Sequence, residues 1–133
     1  MNRLDMTSNN SVNNKFSAIE DLFPNCISEN KIIYDAAYKM LADGMLALTG
    51  KDDLIKAWRL FFSTEDVIGL KVNPVAGSIL STSVEVTQAI VNQLVESGIP
   101  KNNILIWDRR EEQLFEAGFN VENFPGIKII GTE

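Results

Sequence analysis

Three short apolar runs separated by two stretches of helical periodicity constrain this chain more than any other feature. The runs are Val67-Ile68-Gly69-Leu70-Lys71-Val72-Asn73, Ile104-Leu105-Ile106-Trp107 and Ile127-Lys128-Ile129-Ile130. Each is short and rich in β-branched residues, the pattern of a strand buried in a parallel sheet. A helix is predicted between the first two, from about Ser83 to Ser97, burying Thr87, Ile90, Val91 and Leu94. Gly98 closes it and Pro100 follows, a standard helix stop. A shorter helix through Leu114 and Ala117, closed by Gly118, separates the second run from the third. Strand, helix, strand, helix, strand favours parallel pairing through right-handed crossovers. The expected fold class is therefore α/β: a βαβαβ small parallel sheet with flanking helices, built in three layers.

A helical hairpin is predicted ahead of the sheet. Ile33, Ala37, Met40, Leu41, Gly44 and Leu48 follow the spacing of a helix with one buried face, and Gly50 is placed to end it. Asp52 or Asp53 then caps a second helix running through Leu54, Ala57, Trp58 and Phe61. Residues 1–30 read as a flexible N-terminal arm, because Thr7 to Asn14 offers almost nothing to bury. Within that arm Phe16, Ile19, Leu22 and Phe23 have roughly helical spacing before Pro24. They fit a short helix or hook docking on the domain, or a partner-binding motif. Residues 31–133 form the α/β domain.

With 133 residues, 45% of them hydrophobic and 23% charged, the chain has the size and balance of one ordinary globular domain. Its net charge of −6, with no run of Lys or Arg, speaks against nucleic acid as a partner. There is no histidine, which removes His-based triads and every metal site needing imidazole. The single cysteine, Cys26, excludes an intrachain disulfide and an intrachain iron–sulfur cluster, so no cofactor is identifiable. No apolar run approaches the ~20 residues of a membrane span, and no secretory h-region is present, so a cytoplasmic location away from membranes is expected.

Several separated blocks carry a resemblance. Asp66 to Asn73, Ala76-Gly77, Leu80-Ser81-Thr82 and Asn103 to Arg109, preceded by Thr49 to Asp53 and Ala57-Trp58, occur in an order similar to the N-terminal half of a bacterial family. That family is the domain-of-unknown-function family three-six-two, and the resemblance covers roughly residues 32–133. It implies an α/β protein, some of whose relatives carry a ferredoxin-type iron–sulfur module or a twin-arginine export signal. This chain departs from both, having one cysteine and no export signal. The resemblance also implies a second half beyond this sequence, so the α/β domain is expected to be incomplete relative to the family.

Two constellations carry the candidate chemistry. The loop from Asn73 to Thr82 joins a strand's C-terminal end to a helix N-terminus, where free N–H groups favour an anion. Gly77 would let backbone approach a ligand, with Asn73, Ser78, Ser81 and Thr82 as further contacts. It is neither a P-loop nor a dinucleotide fingerprint, and Thr82-Ser83-Val84-Glu85 also fits a plain capping box with Thr82 as N-cap. The second constellation is Trp107-Asp108-Arg109-Arg110. Asp108, just past a buried strand, suits a ligand hydroxyl or acid–base work, with Arg109 adding charge. Its plain alternative is to cap the next helix while the arginines pair with Glu111, Glu112 or Glu116. Lys71, inside an apolar run, must reach a carboxylate, an anion or the strand end if its strand is central; facing an edge, it needs no such explanation. Lys71 and Asp108 are thus the catalytic candidates. Asn73, Gly77, Ser78, Ser81, Thr82, Asp108 and Arg109 are the ligand-binding candidates, in one crevice at a change of strand order. The function expected is a small-molecule or anion-binding part of a larger bacterial protein. The alternative is a non-catalytic interaction module or fragment that self-associates, or pairs with a complementary chain, through an open sheet edge.

Overall fold

Tight turns and glycine stops divide the chain into the elements that its periodicities foretell. The computed structural model describes residues 18–75 and 77–133. Residues 1–17 of the arm expected to be flexible, including Phe16 of the apolar patch, lie outside the described residues. Residues 18–23 form no helix; Leu22 is exposed, and the Phe23 ring lies under the Lys39 ammonium at 5.5 Å from its centroid. Pro24, in a turn directly after these residues, prevents them from continuing into a helix.

A two-residue hairpin follows, β1 (Ile27–Ser28) paired antiparallel with β2 (Lys31–Ile32). Glu29 and Asn30 both take positive φ, 50° and 62°, as a type I′ turn requires. This hairpin straddles residue 30, where the sequence reading separates arm from domain.

Helix α1 (Tyr34–Thr49) ends as expected, with Gly50 in the left-handed region at φ 66° donating its N–H to the Leu46 carbonyl. Asp53 caps α2 (Leu54–Trp58) by accepting from the Lys56 N–H at 2.8 Å. Helix α2 ends at Trp58, so Phe61 falls in the following turn and is exposed; Phe62 takes the inward position and stacks on Trp58 instead.

The sheet consists of β3 (Ile68–Lys71), β4 (Ile104–Asp108) and β5 (Lys128–Gly131), all parallel and in the order β3-β4-β5. Between β3 and β4 lie a one-turn helix α3 (Gly77–Leu80) and the long helix α4 (Val84–Glu96). Between β4 and β5 lie α5 (Glu111–Glu116) and a turn in which Asn120 Oδ1 accepts from the N–H groups of Glu122 and Asn123. That turn brings Phe119 and Phe124 together, rings 5.7 Å apart and stacked, both deep in the core.

This strand order corrects two expectations. Two right-handed crossovers stepping in the same direction put their helices on the same face of a sheet. The burial pattern agrees: Ile68, Ile104, Ile106 and Asp108 are buried, and by register Leu70, Ile129 and Gly131 share their face. The alternate positions, Gly69, Lys71, Leu105, Trp107, Lys128 and Ile130, are exposed or only half-buried. The architecture has two layers instead of three, and β3 is not buried on both faces. Nor does the strand order reverse, so the sheet lacks the switch point at which the crevice was expected.

One core sits between the layers. Leu94 and Val91 of α4, Leu114 of α5, Trp58 of α2, the strand residues Ile68, Ile104 and Ile106, and Phe119 and Phe124 form a continuous buried cluster. Full burial of each large aliphatic side chain contributes roughly 1.5–3 kcal/mol.

Candidate functional site

Lys71 and Asp108 are the last residues of β3 and β4, neighbouring parallel strands, so both stand at the C-terminal edge of the sheet. The Lys71 ammonium forms an ion pair with Asp108 Oδ1 and donates to the Val72 carbonyl at 2.7 Å. It also lies 5.7 Å from the Trp107 ring centroid. The two partners differ in setting: the Asp108 side chain is 9% exposed and that of Lys71 is 51% exposed. The hydrogen bond from Lys71 holds the Asp108 carboxyl below its usual range; burial opposes this, and a bond from the Arg109 N–H reinforces it. Of the fates open to Lys71 in sequence, it takes the carboxylate. Asp108 caps no helix: the N-cap position of α5 is held by Arg110, which makes no side-chain cap. The arginines also pair differently from expectation, Arg109 with Glu133 and Arg110 with the same carboxylate at 3.7 Å.

The loop from Asn73 to Ser83 closes on itself. Asn73 and Thr82 exchange two bonds: the Asn73 N–H donates to Thr82 Oγ1, and the Thr82 N–H to the Asn73 carbonyl, both at 2.9 Å. Asn73 Oδ1 accepts from the Val75 N–H at 3.3 Å, and the Ser81 hydroxyl donates to the Gly77 carbonyl. Gly77 has φ 61°, a conformation glycine adopts without strain. The side chain of Ser78 lies outside the described atoms. Thr82 is not the N-cap of α4. Ser83 is, accepting from the Val86 N–H at 3.3 Å while its hydroxyl donates to Glu85 at 2.8 Å. Thr82 is unavailable for that role because its oxygen ties the loop to Asn73.

The structure therefore brings Lys71, Asp108, Arg109 and the 73–82 loop to one edge, but among the described residues neither of the two depressions near it is lined by Lys71 or Asp108. A depression of about 430 Å³ is lined by Ser81, Thr82, Ser83, Glu85, Gln88 and, from the β1–β2 hairpin, Lys31. A separate one of about 440 Å³ lies over Arg110, Glu111, Phe115 and Glu133. Sequence reasoning did not foresee Glu133 as the partner of both arginines; it lies just beyond β5, and only the parallel pairing of β4 with β5 brings it there. Nor did it single out Lys31.

In class, the described residues form a two-layer α/β unit with a three-stranded parallel sheet, clad by helices on one face. No family model, no curated protein and no solved structure matches this chain. Among the described residues, no helix is long and apolar enough to cross a membrane.

Proposed function

We propose that this chain is a non-catalytic interaction module, one part of a larger bacterial α/β protein, whose sheet is completed by complementary polypeptide. One observation carries the reading: among the described residues, the parallel sheet has helices on a single face. Parallel sheets occur almost only with both faces covered, since an uncovered face leaves apolar strand residues in water. Here the uncovered face carries Leu105, Trp107 and Ile130. The resemblance to family three-six-two supports the same reading and would make the complement the family's second half. The cytoplasm is the compartment this reading calls for, and a lone cysteine accords with it.

The test places a charge on that face. Leu105→Lys and Ile130→Lys should each change stability by less than about 1 kcal/mol, because these positions border solvent. The same substitutions should abolish binding of an anilinonaphthalene dye to the natively folded chain. A dye that never binds, or a Leu105→Lys chain that unfolds, overturns the reading.

A second reading is a small-anion site at the strand C-terminal edge, favoured by the exposure of the Lys71 and Arg109 side chains, 51% and 66%. In this reading the backbone from Gly77 to Ser83 holds a phosphate or carboxylate, and Lys71 or Asp108 takes any acid–base role. Titration with phosphate, sulfate and nucleotides, followed by amide shifts, tests it; no shift near Gly77 to Ser83 at millimolar ligand retires it.

A further inference from the structure

The uncovered face has a composition of its own. By register Gly69, Leu105 and Lys128 form one row across it, and Lys71, Trp107 and Ile130 the next. Val67, immediately before β3, is 69% exposed and continues the same alternation. The Trp107 indole lies across Gly69, where a Cβ would meet Nε1 at 3.1 Å. Glycine is what lets the ring lie over β3, half-exposed beside the Lys71 ammonium. The charged residues in these two rows, Lys71 and Lys128, are both cationic, in a chain whose net charge is −6. Arg109 extends the alternation past β4, with Glu133 as its partner.

From this we infer that the uncovered face receives a single amphipathic helix from a complementary polypeptide, its apolar stripe bordered by Asp or Glu; the inference rests on the interaction-module reading. Width selects one helix. Three strands place the outer pair about 10 Å apart, and a helix with its side chains is about 10–12 Å across. Length selects about three turns, since strands of four or five residues run roughly 13–17 Å. Charge selects the flanks: acidic residues beside the stripe meet the exposed Lys128 and the outer side of the Lys71 ammonium, which already holds Asp108. The apolar centre, Trp107 with Leu105, Ile130 and Val67, matches a stripe at i, i+3, i+4 and i+7.

The experiment uses the full chain and two lactam-stapled helical peptides of about three turns, identical in their apolar stripe, one flanked by Glu and the other by Lys. Trp107 emission reports docking, with the Trp107→Phe chain subtracting the signal of Trp58. The Glu-flanked peptide should shift the emission to shorter wavelength and bind about tenfold more tightly than the Lys-flanked one. Lys128→Glu should narrow or invert that preference. Equal binding of both peptides, binding of neither at millimolar concentration, or an equal emission change with a single-stranded oligonucleotide overturns the inference. Sedimentation velocity separates the two failures. If neither peptide binds but the chain self-associates, and Leu105→Lys abolishes that association, the module reading stands and the helix does not. If the chain also stays monomeric and binds no dye, both fall.

Discussion

Gln93 is the buried polar residue on which three helices converge, and replacing it with Leu isolates what that polarity does. Its side chain, 1% exposed in the last turn of α4, accepts from the Trp58 indole N–H of α2 at 3.0 Å and donates to the Tyr38 carbonyl of α1 at 2.9 Å. Leucine has nearly the same volume, so the packing loss is small and hydrogen bonding dominates. The Tyr38 carbonyl keeps its partner four residues on within α1 and is not orphaned. The Trp58 N–H is left buried without an acceptor, which costs about 1–3 kcal/mol; the lost bond to Tyr38 adds about 0.5–1.5. Gln93→Leu should therefore destabilise the chain by about 2–4 kcal/mol, measured by urea unfolding followed in far-UV circular dichroism. A double-mutant cycle sharpens the claim. Trp58→Phe should cost about 1–2 kcal/mol less in the Gln93→Leu background than in the wild type, because no donor is then stranded. A Gln93→Leu cost under about 0.5 kcal/mol, or strict additivity of the two substitutions, refutes the reasoning.

Three further outcomes are expected. The depressed Asp108 carboxyl contributes stability that is fully present above the unfolded value of ~3.9 and is lost as the pH falls through the folded value below it; denaturant midpoints taken from pH 6 down to pH 2 should fall less steeply for Asp108→Asn than for the wild type. Tyr38 is pushed up to about 12, first by burial and then by its hydrogen bond to Glu96 and that carboxylate's charge. Its contribution is thus present below about pH 10 and lost as the pH rises beyond; tyrosinate absorbance in a Tyr34→Phe chain should reveal the late titration, and Glu96→Gln should bring it earlier. At Gly131 an added Cβ would sit 2.5 Å from the Glu111 backbone nitrogen, so Gly131→Ala must push β5 from the start of α5 and should cost about 1–3 kcal/mol in thermal unfolding.

Most of the fold was legible because its signals are local. Gly50 and Asp53 bound their helices through short-range hydrogen bonds that need no tertiary context, and α4 shows its inward face at Thr87, Val91 and Leu94. The α4 cap was misassigned by one residue, since Thr82 and Ser83 are equally good caps locally and only the distant Asn73 removes Thr82 from contention. Phe119 and Phe124 escaped the reading because their pairing depends on a turn held by Asn120, not on a periodicity. Lys71 was singled out for the cost of a charge inside an apolar run and Asp108 for its place just past a buried strand, but nothing in the sequence pairs them.

The sequence by itself determined the three sheet strands, the main helices and the identity of the charged residues at the strand ends, because periodicity and capping act over a few residues at a time, and the strand–helix–strand order then favoured parallel pairing. Only the tertiary structure decided strand order, and strand order settled the rest. Stepping from β3 to β4 to β5 in one direction put the helices on one side, joined Lys71 to Asp108, drew Glu133 to the arginines, and left Trp107 over Gly69 on an unclad face. A strand's sequence encodes which residues alternate. Which of its two faces meets the core depends on where its neighbours lie, and that is a long-range property of the chain.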